Sequence, residues 1–329
     1  MQKNPDYRKY LDPSVIARLS NIELKARLVV EGFIAGLHKS PYHGFSVEFA
    51  EHRQYMPGDD LKYLDWKILG KTDRYYVKRF EEETNLKSYI LLDVSRSMNF
   101  KSEIIRTGEN KKKNILEKIF SKSSELNPSS HNSLTKLEYS SYLAASISYL
   151  MLLQRDSFSL TTYDTKIRKY IPPHSTKANL QLILNELNKV QSLHETGTAK
   201  CLNEIAEKVK RRGLIIIFSD LFDDQKEVMN AMKHFRYNKN EVIIFQILDP
   251  VEISFLDGNP VTLKDMETNE EIYSQPFAMQ KAYRETIKEF IENYKTECGK
   301  NNIDFITLST STPFDTALLS YLNKRKKMI

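Results

Sequence analysis

The sequence predicts an α/β fold: a doubly wound, mostly parallel sheet flanked by helices, with a smaller N-terminal α+β region. Three observations predict it. From residue 87 onward, short strand-like runs alternate with longer helical patterns, the rhythm of βα units. The runs, such as Leu214-Ile215-Ile216-Ile217-Phe218, are apolar throughout, as parallel strands buried on both faces must be. The 329 residues suit one large α/β domain with an appendage, or two domains.

In chain order, residues 1–86 form a first region. Ser20-Asn21 can cap a helix over Ile22–Leu37, with Leu24, Leu28, Val29, Phe33 and Ala35 at helical spacing and Gly32 and Gly36 weakening it. Pro41 and Gly44 precede a strand-like run, Phe45–Phe49. A turn at Pro57-Gly58 follows, and Asp59 or Asp60 is placed to cap a short helix through Leu61, Leu64 and Ile68. Tyr75–Phe80 alternates as a strand and leads through a turn near Asn85 into the main region, 87–325. There, strands are predicted over Tyr89–Leu92, Phe158–Thr162, Leu214–Phe218, Val242–Leu248 and Ile303–Leu308. Helices fit Lys136–Gln154, Ala178–Val190, Ala199–Arg211, Gln225–Phe235, Phe277–Glu297 and Pro313–Lys324. A short edge strand over Ile167–Ile171 and a hairpin around Val261–Leu263 and Glu271–Tyr273 decorate the sheet. One stretch breaks the rhythm. Residues 99–135 are basic and rich in Lys, Ser and Asn, far beyond the ~12–15 residues common for loops, and are expected to be a mobile insertion.

The net charge of +6 is unevenly spread. The insertion has a surplus of three positive charges, and the tail Lys324-Arg325-Lys326-Lys327, from which 326–329 form a basic end, adds four. The remaining body is near neutral, so charge implies solvated faces and no nucleic acid. Met1–Asp12 is polar, and the longest nearly apolar run, Tyr142–Leu153, is shorter than the ~20 residues a membrane span requires. No transmembrane segment and a cytoplasmic setting are therefore expected. Cys201 and Cys298 have no metal-type spacing and suggest no disulfide framework.

Chemistry concentrates at Leu91-Leu92-Asp93-Val94-Ser95-Arg96-Ser97. Residues two apart on a strand share a face, so Asp93 and Ser95 point together, joined by Ser97 if the chain turns. Thr198, in Gly197-Thr198, opens a helix, and Asp220 closes the run Ile216-Ile217-Phe218-Ser219-Asp220. In a doubly wound sheet such positions meet beyond the carboxyl ends of the strands. All five side chains offer oxygen and none is His or Cys, which favours Mg2+, with Mn2+ possible, and disfavours zinc. Each residue alone also fits a helix cap.

Together these residues resemble the metal-ion-dependent adhesion site of von Willebrand factor A-like domains, over about residues 87 to 325. The resemblance implies that Asp93, Ser95 and Ser97 ligate the metal directly, Thr198 directly or through water, and Asp220 through water. It also implies that a partner's Glu or Asp completes the octahedron. Further upstream, Gly44-Phe45-Ser46-Val47-Glu48-Phe49, Arg53-Gln54-Tyr55-Met56-Pro57-Gly58-Asp59-Asp60 and Leu64-Asp65-Trp66-Lys67 look like the signature of the bacterial domain of unknown function 58 family (DUF58). Its genes commonly lie beside those of MoxR-type AAA+ ATPases, which implies such a partner. Arg53 is placed to pair with Asp59, Asp60 or Asp65, and Trp66 is read as a packing anchor. Ala199-Lys200 follows Gly197-Thr198, where relatives continue with an acidic residue.

The function so implied is a non-enzymatic, Mg2+-dependent interaction module that docks an acidic residue of a partner, working with a MoxR-type ATPase in assembly or maturation. The alternative is a metal-dependent phosphoester hydrolase at the same site. His38, His43 and His52 match no metal-ligand spacing, and neither Gly-x-Gly-x-x-Gly nor a P-loop occurs. Ser95 lacks the Gly-x-Ser-x-Gly elbow of hydrolases.

Overall fold

The computed structural model describes residues 13, 21–37, 52–54, 70, 75–78, 87–102, 134–192, 195–209, 212–255, 261–264, 271–274 and 276–326. Among them, α1 (Ile22–Leu37) begins at Asn21, whose side chain accepts from the Glu23 N–H at 2.8 Å. β1 (His52–Gln54), which the sequence had not suggested, pairs antiparallel with β2 (Tyr76–Lys78), setting Arg53 opposite Val77. Pro57, Gly58, Asp59, Asp60, Asp65 and Trp66 lie outside the described residues, as do the expected strand at 45–49 and most of the 99–135 insertion.

The central sheet contains β3 (Lys87–Asp93), β4 (Ser157–Tyr163), β5 (Ile167–His174), β6 (Leu214–Ser219), β7 (Glu241–Leu248) and β10 (Asp304–Ser309), in the order β10-β7-β6-β3-β4-β5. All neighbours run parallel except β5, which pairs antiparallel with β4 at one edge and carries register shifts. Pro172 and Pro173 lie on this edge strand, where a missing N–H costs the sheet least. From β3 the chain builds outward through β4 to β5, then returns to the other side of β3 with β6. The switch point therefore falls between β3 and β6, and a crevice opens at their carboxyl ends.

Alternate residues of each strand feed opposite layers. Ile90 and Leu92, with Ile216 and Phe218, pack beneath α1, α2 (Lys136–Leu153), α3 (Lys177–Lys189) and α8 (Phe314–Lys326). Tyr89 and Leu91, with Ile215 and Ile217, pack against α4 (Thr198–Lys208), α5 (Gln225–Tyr237) and α7 (Pro276–Lys300). Both faces of the sheet are thus apolar, the signal the runs carried in the sequence. Ile22, Ala26, Val29, Val30 and Phe33 of α1 belong to the first layer, so this N-terminal helix shares the main core. Gly213, just before β6, is required by close approach: a Cβ there would stand 2.2 Å from the Lys87 carbonyl oxygen.

Two smaller elements complete the description: the short helix α6 (Pro250–Ser254) and the hairpin of β8 (Val261–Lys264) and β9 (Glu271–Ser274). Among the described residues no helix is long and apolar enough to cross a membrane.

Candidate metal site

Asp93 is the last residue of β3 and is completely buried. Its Oδ1 accepts from the Ser95 N–H at 2.9 Å, and its Oδ2 accepts from the Ser219 hydroxyl at 2.6 Å and the Thr198 hydroxyl at 3.2 Å. A 3-10 turn over Arg96–Asn99 then swings Ser97 back, leaving the Ser95 and Ser97 hydroxyl oxygens 3.1 Å apart. Ser192, from the loop after α3, donates to the Ser95 carbonyl and ties that loop down.

The capping roles these residues could have played are filled otherwise. Ser95 precedes the 3-10 turn, yet its side chain makes no capping bond. Gly197, not Thr198, is the N-cap of α4, and the Ala199 N–H is met by Asp223 from the loop after β6. The Thr198 hydroxyl is thereby released to Asp93. A Cβ on Gly197 would lie 3.0 Å from the Thr165 Cα, so glycine lets the start of α4 sit this close to the turn between β4 and β5. Lys200, one turn-position on, is exposed.

Asp220 follows β6 and is completely buried. Its Oδ1 accepts from the Phe222 N–H at 3.2 Å and its Oδ2 from the Lys136 ammonium at 2.8 Å. Leu221, next in the chain, has φ 61°, a conformation that costs a branched side chain free energy and recurs near functional sites. Lys136 also donates to Glu252 Oε1 at 2.6 Å. Glu252 forms a capping box with Asp249 at the start of α6, and Asp249 Oδ2 accepts from the Ser102 N–H at 3.1 Å. Sequence reasoning assigned no role at the site to Ser219, Lys136 or Glu252.

The electrostatics are unbalanced at one point. Burial, then the charge of Asp220, push the Asp93 carboxyl up to about 6, against the opposing hydrogen bonds of Ser219 and Ser95. Burial would depress Lys136, yet Asp220 and Glu252 together hold its ammonium above its ordinary value. Glu252 is raised by burial despite the lysine. The net picture is an ammonium charged among two carboxylates, while Asp93 beside them meets, among the described residues, only hydroxyls and an N–H.

The donor set fits a small hard cation. Octahedral Mg2+ with oxygens at ~2.1 Å places neighbouring ligands ~3.0 Å apart. The Ser95–Ser97 and Asp93–Thr198 oxygen pairs, at 3.1 and 3.2 Å, have that spacing. Among the described residues no three His, Cys, Asp or Glu side chains form a metal cluster, so such a site would depend on hydroxyls around one carboxylate. All five residues singled out in the sequence converge at the switch point, although Asp220 comes already bound to Lys136.

The model of a family described as "Protein of unknown function DUF58" matches residues 51–122 and 108–297. The uncharacterized protein Rv1480 of Mycobacterium tuberculosis is 23% identical over 259 residues, covering 78% of this chain and 72% of its own. Among solved structures, the conserved hypothetical protein BatB of Bacteroides thetaiotaomicron is similar with a TM-score of 0.44 and 13% identity, over 74% of this chain and 98% of its own. The SpRpn10 VWA domain is similar with a TM-score of 0.36 and 10% identity, over 72% of this chain and 94% of its own.

Proposed function

The chain belongs to the DUF58 family, and from that premise we propose that it is a Mg2+-dependent protein–protein interaction module that docks a Glu or Asp of a partner. One observation carries the reading. Hydroxyls from two separate elements, Ser95 and Ser97 after β3 and Thr198 on α4, are released from capping and gathered with the buried Asp93 at a switch point. Asp93, Ser95, Ser97 and Thr198 would hold the ion. Mg2+, or Mn2+ in its place, would supply there a positive centre only partly neutralised by one carboxylate, to which an outside carboxylate is drawn.

The chain's own residues favour docking over catalysis. Asp220 is the candidate general base that a phosphoester hydrolase would need, and both of its oxygens are engaged, one by an ammonium. A base so held is poorly placed to take a proton from water. Ser97 is partly exposed while Asp93, Ser95 and Thr198 are buried, so a ligand would approach from the Ser97 side. We further propose that the partner machinery includes a MoxR-type AAA+ ATPase, in assembly or maturation. A cytoplasmic setting belongs to the same reading and suits two buried free cysteines, Cys201 and Cys298.

Calorimetric titration of Mg2+ into the full chain tests the reading. Binding is expected for the wild type and absent for Asp93→Ala, with loss of partner capture in parallel. Equal Mg2+ affinity in the two proteins would exclude a metal site at Asp93.

A further inference from the structure

We infer that Lys136 is a built-in counter-cation that holds Asp220 away from the metal, so that the ion's residual charge is kept for a ligand from outside. The inference rests on the metal reading above. Lys136 is the first residue of α2 and is completely buried. A helix N-terminus already carries partial positive charge, so an ammonium in its first turn is out of place by local electrostatics. Burying that ammonium adds a desolvation cost that only close carboxylates can offset. Both costs are tolerated because the group lies between Asp220 at 2.8 Å and Glu252 at 2.6 Å, with the Phe222 ring 5.1 Å away.

The consequence falls on the neighbouring strand end. Asp93 ends β3 and Asp220 follows β6, adjacent parallel strands with Leu92 opposite Phe218, and the Asp93 carboxylate accepts from Ser219, the residue just before Asp220. Two bare carboxylates so placed would both attract a divalent cation and would neutralise it between them. Lys136 removes one of them from the competition. Asp220 is left with both oxygens engaged, by Lys136 and by the Phe222 N–H. Among the described residues, Asp93 is then the single anion facing the hydroxyls of Ser95, Ser97 and Thr198. A dication held by one anion and three neutral oxygens retains about one positive charge. An incoming carboxylate can meet that charge. Lys136 touches none of the proposed ligating atoms, so it acts as a positioning residue, through Asp220.

The test compares the wild-type chain with Asp220→Asn and with the double variant Lys136→Met/Glu252→Gln. The double variant frees Asp220 while removing the second carboxylate that shared the ammonium. Two readouts are used: Mg2+ affinity by calorimetry, and the number of exchangeable waters on bound Mn2+ by water-proton relaxation. Asp220→Asn keeps the Lys136–Glu252 pair and is expected to change Mg2+ affinity by less than roughly threefold, because both Asp220 oxygens are already engaged elsewhere and neither would ligate the ion. The double variant is expected to bind Mg2+ at least roughly tenfold more tightly, with about one fewer exchangeable water on Mn2+, as Asp220 joins the coordination sphere. A loss of roughly tenfold or more in Asp220→Asn would overturn the inference, since Asp220 would then be supporting the ion in the wild type. So would wild-type affinity and hydration in a double variant that circular dichroism shows to be folded. Should the double variant not fold, Asp220→Asn decides alone. Absence of Mg2+ binding in the wild type would instead remove the metal reading and this inference with it.

Discussion

Replacing Asp93 by Asn is expected to stabilise the metal-free protein near pH 8 and to destabilise it slightly near pH 4. The Asp93 carboxyl is pushed up to about 6 by burial and by Asp220, against about 3.9 for a free aspartate. At about 1.4 kcal/mol per unit, that difference is worth about 3 kcal/mol. The folded chain holds this proton more tightly than the unfolded chain, so the sign is fixed. Below about pH 4 both states are protonated and there is little cost; the cost grows between about pH 4 and 6, where only the unfolded chain has lost the proton, and is complete above about 6. Asparagine has no charge to bury and escapes the cost. Its side chain can keep the Ser95 N–H bond, but it must donate where Asp93 Oδ2 accepts from Ser219 and Thr198. Ser219 already accepts from the Leu221 N–H, so its own hydroxyl proton is left unplaced, at a cost of about 1 kcal/mol. The variant should thus be about 1 kcal/mol less stable than wild type near pH 4 and about 2 kcal/mol more stable near pH 8. Urea denaturation in EDTA at the two pH values measures the difference and cancels other titrating groups common to both proteins. A stability difference that does not change with pH would refute the buried, unneutralised carboxylate. So would a variant less stable at pH 8.

Two further outcomes follow from the same geometry. Wild-type Mg2+ affinity should weaken as pH falls through about 6, because a proton competes for the carboxylate that must ligate the ion. Calorimetry at pH 5 and 7.5 checks this, and equal affinities would count against Asp93 as a ligand. Gly213→Ala sets a Cβ 2.2 Å from the Lys87 carbonyl oxygen, a backbone atom that moves only with β3, and should cost about 1–3 kcal/mol in urea denaturation. A cost below about 0.5 kcal/mol would show that the two strands separate more freely than their packing implies.

The sheet was legible because its signal is local. Runs such as Leu214–Phe218 and Val242–Leu248 are apolar at every position, and both appear as strands buried on both faces. The antiparallel edge strand and the β8–β9 hairpin also lie where predicted. The short α6 escaped notice, although Asp249-Pro250-Val251-Glu252 after an apolar run carries a capping-box pattern. At the site, Asp93, Ser95, Ser97, Thr198 and Asp220 were recognisable by residue type and position. Lys136 was not, because a lysine after a basic stretch is normally solvated. Its one signal was a broken local rule: a cation in the first turn of a helix, where an acidic residue would be favoured. Ser219 gave no signal, since a serine at a strand end is ordinary until the carboxylate it meets, from β3, is known.

The chain leaves the site at Phe100 and Ser102 and returns at Leu134 and Lys136, and these two points are held together. The Phe100 carbonyl accepts from the Lys136 N–H at 3.3 Å, while Ser102 is pinned to Asp249 at 3.1 Å. Segments joined at a fixed gate can change length cheaply, since each doubling adds only about 0.6 kcal/mol of closure entropy. With both ends so fixed, a change of length between Ser102 and Leu134 is expected to leave the oxygens gathered around Asp93 in place. The sequence between those two points is therefore free to vary in length and content while the sheet stays untouched.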